Sequence, residues 1–106
     1  MSEIRKIKNK FNKEDLISVL LDKGFTAENV KKFIVFGRAV DVENVYRKGG
    51  FRIGIDSEGN AYYDDMFMDN INEVVEEYIT RRLKRSGYRI LQRVSKKGEI
   101  VLEVGK

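Results

Sequence analysis

Cysteine, histidine, proline and tryptophan are all absent from this chain of 106 residues. Without cysteine there is no disulfide, no thiolate nucleophile and no cysteine-based metal site. Without histidine the chain lacks the side chain that most often serves as a general base near neutral pH and as a metal ligand. An enzyme built on this sequence would depend on carboxylates, lysine, tyrosine or backbone donors. We therefore expect a protein without catalytic activity and without a cofactor.

Long hydrophobic runs are also missing. No apolar stretch approaches the roughly 18–20 residues that a membrane-spanning helix needs. The basic N-terminus is not followed by the apolar segment of a secretory signal, so we expect a cytoplasmic protein that does not bind membranes. Hydrophobic residues make up 42% of the chain, and no linker rich in Ser or Pro interrupts it. The length and the composition predict a single domain over residues 1–106.

The first amphipathic helix is predicted over residues 13–23. Asn12 is a good N-cap. Gly24 ends the helix, and Phe25 stands where a Schellman ending makes its closing contact with Leu20. Apolar side chains at helical spacing predict the buried stripe, which is Leu16, Ile17, Leu20 and Leu21.

The second helix is predicted over residues 70–86, where helical spacing persists for more than three turns. Asn70 is a candidate N-cap, for which Asp69 competes. Gly87 followed by Tyr88 repeats the ending of the first helix. The expected buried stripe is Ile71, Val74, Val75, Tyr78, Ile79 and Leu83.

Alternation of apolar and polar residues predicts the strands. They are expected in the first ten residues, in a short buried run over 33–36, over 39–47, over 51–55 and over 61–63, with a final hairpin that turns at 95–98. The resulting order is roughly β-α-β-β-β-β-α-β-β. We expect an α+β fold with a mainly antiparallel sheet and two amphipathic helices on one face. The other face would then be solvated or used for binding.

Several local segments have the same form and order as a known family. They are Leu20–Phe25, Asp41-Val42, Gly50–Ile55, Tyr78, Gly87-Tyr88 and the closing Gly98-Glu99-Ile100. In these segments the chain resembles the hypothetical chloroplast reading frame thirty-five family, small proteins of plastid genomes and bacteria. Residues 62–65, Tyr-Tyr-Asp-Asp, depart from that family where tryptophan-rich sequence is expected. The resemblance implies a fold and brings no established activity, cofactor or catalytic residue.

Three acidic residues, Asp64, Asp65 and Asp69, fall between a predicted strand and the second helix. Carboxylates in such a cluster suit Mg²⁺, which prefers oxygen ligands. A divalent ion near basic groups would suit phosphodiester chemistry. The stronger alternative is structural, because acids before a helix and in its first turn cap it and complement its dipole.

The charges are unevenly distributed along the chain. Residues 14–80 carry seven basic and fourteen acidic side chains, whereas residues 81–97 carry eight basic ones and no acid. The candidate nucleic-acid-binding residues are Arg81, Arg82, Lys84, Arg85, Arg89, Arg93, Lys96 and Lys97, joined by Lys6, Lys8 and Lys10 of the N-terminal segment. The alternatives are a cationic end that complements the helix dipole and a strand edge protected by lysine.

Five aromatic residues, Tyr46, Phe51, Tyr62, Tyr63 and Phe67, are candidates either for base stacking or for core packing. Packing is the ordinary interpretation.

Three functions follow from the sequence. The first is a non-enzymatic binding or adaptor module that acts through protein partners or self-association, for example as a homo-oligomer. The second is a nucleic-acid-binding domain, and the third is a magnesium-dependent phosphodiesterase.

Overall fold

The computed structural model describes residues 3–7, 11–96 and 99–105. Backbone contacts divide the chain into two compact units, Met1–Phe67 and Met68–Lys106. The predicted α+β class and the antiparallel pairing of the strands are confirmed. The single domain expected over 1–106 stays a prediction. In the part of the chain that is described, no helix is long and apolar enough to cross a membrane.

The first unit combines a five-stranded sheet, one helix and a separate two-stranded hairpin. Its elements are β1 (Ile4–Lys6), α1 (Lys13–Asp22), β2 (Thr26–Ala27), β3 (Lys32–Val35), β4 (Arg38–Asp41), β5 (Asn44–Lys48), β6 (Phe51–Ile55), β7 (Ala61–Asp64) and a 3₁₀ turn at Asp65–Phe67. The sheet has the order β1-β7-β6-β5-β2, and every neighbouring pair is antiparallel. Strands β3 and β4 pair only with each other among these strands, and we call them the cover hairpin.

The single strand predicted over 39–47 is wrong, because the chain changes sheets in the middle of that segment. The amide of Val42 donates to the carbonyl of Lys31, next to the cover hairpin, at 2.9 Å. The following amide, that of Glu43, donates to the carbonyl of Ile55 in the main sheet at 2.8 Å. Two short strands in different sheets therefore replace one long strand.

Helix α1 has the two ends that its sequence predicts. The side chain of Asn12 accepts a hydrogen bond from the amide of Asp15 at 3.1 Å. At the other end the amide of Phe25 donates to the carbonyl of Leu20 at 3.0 Å. This bond, from the second residue after the C-cap back into the last turn, is that of a Schellman ending. Both caps are thus confirmed.

The buried stripe of α1 differs from the predicted one. Leu16, Val19 and Leu20 are buried, whereas Leu21 is 52% exposed. The period of 3.6 residues explains the shift, since positions 16, 19 and 20 lie within one stripe, whereas position 21 lies roughly 140° around the helix from position 16 and so outside that stripe.

The two faces of the main sheet follow from its register. Phe51, Ile53 and Ile55 lie on one face, which we call the helix face. Lys48 stands opposite Phe51 on that face, and its ammonium group donates to the carbonyl of Lys23, just after α1, at 2.6 Å. The ring of Phe25 also meets that of Phe51 edge to face at 5.5 Å between centroids. The end of α1 therefore lies on the helix face.

The opposite face, which we call the cover face, is occupied by the cover hairpin. Phe33 and Val35 of β3 form a buried cluster with Val42 and with Val45 of β5. Gly54 of β6 lies beneath this cluster, where an added Cβ would stand 3.0 Å from the Cβ of Phe33. The open face expected from the sequence is wrong here, because the chain covers it with its own apolar side chains.

The second unit consists of α2 (Met68–Arg85), β8 (Arg89–Lys96) and β9 (Glu99–Gly105). The helix contacts both strands of the hairpin that follows it. Its ending is as predicted, since the amide of Tyr88 donates to the carbonyl of Leu83 at 2.9 Å. The residues of α2 that are buried are Ile71, Val74, Tyr78 and Thr80.

Two predicted boundaries in the second unit are wrong. The helix already includes Met68, so Asp69 and Asn70 lie in its first turn and neither is the N-cap. The turn expected over 95–98 is wrong for its first two residues, because Ser95 and Lys96 belong to β8 and pair with Ile100 and Glu99 of β9. Residues 97 and 98 lie outside the described part of the chain.

We predict that Gly54→Ala lowers the free energy of unfolding by about 1–3 kcal/mol, the usual cost of overpacking a core. The new methyl group would stand 3.0 Å from both the Cβ of Phe33 and the Cγ1 of Val42. Chemical denaturation measures this change.

Gly50→Ala is the matched control in the same region. There an added Cβ meets its nearest atom, the Cζ of Phe67, at 3.7 Å, which is ordinary van der Waals contact. We expect a change within about 0.5 kcal/mol. Equal stability of the two variants would contradict the close packing of the cover hairpin on the sheet.

Candidate functional site

Phe36 and Gly37 form the tip of the cover hairpin. Val35 and Arg38 pair directly, so two residues make the whole turn. Their φ angles are 45° and 80°, both positive, as a type I′ turn requires. Asn-Gly is the favoured sequence for such a turn. A phenylalanine in the left-handed region costs about 1–2 kcal/mol, because its Cβ crowds the following carbonyl oxygen.

The ring of Phe36 is one of the most exposed apolar groups on the molecule. The side chain is 84% exposed, and Ile34 two residues before it is 49% exposed. Between them Val35 is 5% exposed, and Phe33 is fully buried. The prediction of a buried strand over 33–36 is therefore wrong for alternate residues, since in a strand successive side chains point to opposite sides.

Two arginines lie beside the cover hairpin on the main sheet. Arg47 and Arg52 stand directly opposite each other in the β5–β6 ladder, on the cover face. Like charges in that position destabilise a sheet. The Nε of Arg47 donates to the carbonyl of Gly49 at 2.8 Å, and the Nη2 of Arg52 donates to the carbonyl of Ile34 at 2.7 Å. Within the described residues neither forms an ion pair with a carboxylate.

A third arginine completes this group. Arg38 pairs with Val35 and so belongs to the side of the hairpin that faces the sheet, yet it is exposed. It makes no hydrogen bond or ion pair with any other residue that the structure describes. Arg52 links the two parts, because its guanidinium group lies 5.2 Å from the centre of the Phe33 ring. We define the tip surface as Ile34, Phe36, Arg38, Arg47 and Arg52.

On the outer side of the cover hairpin the charges are balanced. Lys32 and Asp41 stand opposite each other and form an ion pair at 2.7 Å. The hydrogen bond from Lys32 and its positive charge hold the pKa of the Asp41 carboxyl below its usual value. Within the two strands of the cover hairpin, the cation that has no ion pair among the described residues is therefore Arg38, which belongs to the tip surface.

Asp56, in the turn between β6 and β7, is engaged by its own loop and by Tyr62 of β7. Its carboxylate accepts hydrogen bonds from the amides of Glu58 and Asn60, from the side chain of Asn60 and from the hydroxyl of Tyr62, at 2.9–3.0 Å. Partial burial raises the pKa of this carboxyl, but the hydrogen bonds outweigh burial, and the net pKa is lowered. The loop explains this arrangement without a ligand.

The three acids of the predicted metal site have separate local contacts. Asp64 accepts from the amide of Met66 at 3.1 Å, and Asp65 accepts from the amide of Glu3 at 3.0 Å. Asp69 lies in the first turn of α2. Among the residues that are described, no group of three or more acidic side chains is placed to hold a metal ion.

The predicted basic run extends over the end of α2 and along β8. Arg81 forms an ion pair with Glu77 at 2.8 Å, and Arg82 lies 5.6 Å from the centre of the Tyr78 ring. The exposed members are Arg82, Lys84, Arg85 and Arg89. Arg93 and Lys96 belong to β8, and Lys97 lies outside the described residues.

The contribution of the N-terminal segment to this basic run stays a prediction. Lys6 belongs to β1 and pairs with Tyr62 of β7. Lys8 and Lys10 lie outside the residues that the structure describes.

The aromatic residues identified in the sequence are mainly packing residues. Tyr46 and Phe51 are buried, and the rings of Phe51 and Phe67 stack at 5.4 Å. Tyr62 and Tyr63 are half-buried. Sequence reasoning missed Phe36, whose only local signal is the glycine that follows it between two apolar segments, a weak form of the two-residue turn motif.

Comparison of the chain with protein-family models, with curated proteins and with solved structures finds no match. The resemblance to the hypothetical chloroplast reading frame thirty-five family therefore stays a prediction.

We predict that Phe36→Asn raises the free energy of unfolding by about 1 kcal/mol, because asparagine tolerates the left-handed region far better than phenylalanine. Phe36→Leu is the control, since it removes the ring and keeps the strained Cβ. We expect it to leave stability unchanged. Thermal and urea denaturation measure both variants, and a destabilised Phe36→Asn protein would show that the ring supports the fold.

Proposed function

We propose that this chain is a non-enzymatic binding module that contacts its partner through the tip surface. The observation that carries the proposal is Phe36, an aromatic residue 84% exposed in a strained turn. Strain at a residue that contributes nothing to the core points to a role outside folding. Aromatic and arginine side chains are also the residues that most often dominate binding energy at interfaces.

The non-enzymatic part of the proposal rests on composition. The chain has no histidine and no cysteine, which excludes the commonest general base and the commonest nucleophile–base pairs. The Asp56 carboxylate accepts four hydrogen bonds, which come from its own loop and from Tyr62 of β7.

The location of the binding surface differs from the one that the sequence suggests. An open sheet face was the reason to expect a protein partner or self-association there. That face is covered at Val45 and Gly54 by the cover hairpin. The outer end of the hairpin carries two exposed apolar side chains, Ile34 and Phe36, and the contact is accordingly assigned to the tip surface.

Site-specific photocrosslinking tests this assignment in the source organism. With p-benzoylphenylalanine in place of Phe36, the aromatic character of the position is kept and irradiation traps whatever lies against the ring. We expect a covalent adduct that forms at position 36. Its mass and its sensitivity to protease or nuclease then report a second copy, another protein or a nucleic acid.

The matched control carries the same crosslinker in place of Leu21, which is 52% exposed on α1 and lies outside the tip surface. We expect no adduct from this variant. Adducts of equal yield at both positions, or none at position 36, would contradict the proposal.

The basic run over 81–97 supports a second candidate function, nucleic-acid binding by the second unit. The last turn of α2 contains Arg82, Lys84 and Arg85, and the whole segment carries no acid. Cations in such an array bind phosphates by releasing counterions, which makes the affinity fall steeply with salt.

We predict that Arg85→Ala combined with Arg89→Ala weakens nucleic-acid binding in a filter-binding titration and flattens its salt dependence. Lys32→Ala is the control, because the charge of Lys32 is already balanced by Asp41. Binding unchanged by the double substitution would remove this candidate.

A further inference from the structure

We propose that the tip surface binds single-stranded nucleic acid, with the ring of Phe36 stacked on a base and Arg38, Arg47 and Arg52 on the adjoining phosphates. This inference rests on the proposed function and names the partner of the same surface. It concerns the first unit and is independent of the basic run in the second.

The charge of the tip surface calls for an anionic partner. Arg38, Arg47 and Arg52 form no ion pair within the described residues, and the directly opposed Arg47 and Arg52 repel each other. An anion placed against them attracts both guanidinium groups, and these attractions offset the repulsion. Lys32, on the outer side of the cover hairpin, is by contrast paired with Asp41.

The arginines also keep hydrogen-bond donors for such an anion. A guanidinium group has five N–H donors. Arg47 uses its Nε, and Arg52 uses its Nη2, in the bonds to backbone carbonyls. The remaining donors of each group suit the bidentate geometry of a phosphate. The bonds to the backbone in turn hold the two groups in place before a ligand arrives.

Phe36 supplies the second element of single-strand recognition. Proteins that bind single strands combine a cationic track for the backbone with aromatic rings on which bases stack. The ring is 84% exposed, and the strained turn fixes the direction of its Cβ. Duplex bases already stack on their neighbours, so one exposed ring is better matched to a single strand, whose bases are accessible.

A protein partner fits the tip surface less well. A stable protein interface buries about 800 Å² on each side around an apolar centre. On the cover hairpin only Ile34 and Phe36 are large, apolar and exposed. One ring beside three cations resembles the composition of a nucleotide-binding surface more than that of an interface core.

Fluorescence anisotropy with the full chain and a labelled oligothymidylate of about 20 nucleotides tests the inference. We expect binding whose affinity falls steeply between roughly 50 and 200 mM NaCl. Phe36→Asn should weaken it about tenfold, the loss of one stacked base. Arg47→Gln combined with Arg52→Gln should reduce the slope of log K against log salt by about 1.4.

Arg38→Gln is the variant that separates a loss of binding from a loss of folding. Unlike Arg52, Arg38 has no bond within the described residues that the substitution would break. It should leave the unfolding curve unchanged and reduce the salt slope by about 0.7. The doubly substituted Arg85→Ala, Arg89→Ala protein serves as the comparison from the second unit and should retain the dependence on Phe36.

Three outcomes would overturn the inference. They are no binding at low salt, equal binding by the wild type and the tip-surface variants, and equally effective displacement of the oligonucleotide by polyglutamate of similar length. If one of these outcomes is found and the crosslinking experiment still gives an adduct at position 36, the proposed function is retained and its partner is a protein. Absence of both adduct and binding would remove the two proposals together.

Discussion

The arrangement of the first unit depends on the close approach of Phe33 to Gly54. A side chain at position 54 would stand 3.0 Å from the Cβ of Phe33, so only glycine lets the cover hairpin lie this close to the sheet. The contact buries Phe33 completely and Val35 to 5% exposure. Burial of such side chains contributes roughly 1.5–3 kcal/mol each. The combined burial of Phe33 and Val35 therefore contributes more than the roughly 1–2 kcal/mol that a left-handed phenylalanine costs. This difference explains how the fold maintains the strained Phe36 at the hairpin tip.

The position of the tip surface is a geometric consequence of that contact. Because Phe33 and Val35 face the sheet, strand alternation places Ile34 on the opposite side, towards solvent. The bond from Arg52 to the carbonyl of Ile34 then connects the hairpin to β6 at 2.7 Å. Arg52 thus has two roles. It supports the cover hairpin through this hydrogen bond, and it contributes to the positive charge of the tip surface.

The sequence predicted the features that depend on neighbouring residues. Both helix endings, at Phe25 and at Tyr88, are closed by local hydrogen bonds and were found where expected. The cover hairpin was not predicted as such, because four consecutive apolar residues do not reveal which of them are buried. Its docking onto Gly54 is a contact between segments that lie about twenty residues apart, and one sequence carries no local signal for it. The tip surface was missed for the same reason.

The net charge of the first unit does not reveal the positive charge of the tip surface. Residues 1–67 carry twelve basic and eleven acidic side chains, so the formal charges of the first unit nearly cancel. At an ionic strength of 0.15 M, charges are screened beyond about 8 Å. What matters for an anion is therefore the local pairing of the arginines, and within the described residues none of Arg38, Arg47 and Arg52 forms an ion pair with a carboxylate. In the opposed pair of Arg47 and Arg52, both recorded hydrogen bonds go to backbone carbonyls. Since carbonyl oxygens carry no formal charge, these bonds orient the guanidinium groups and leave their positive charge uncompensated.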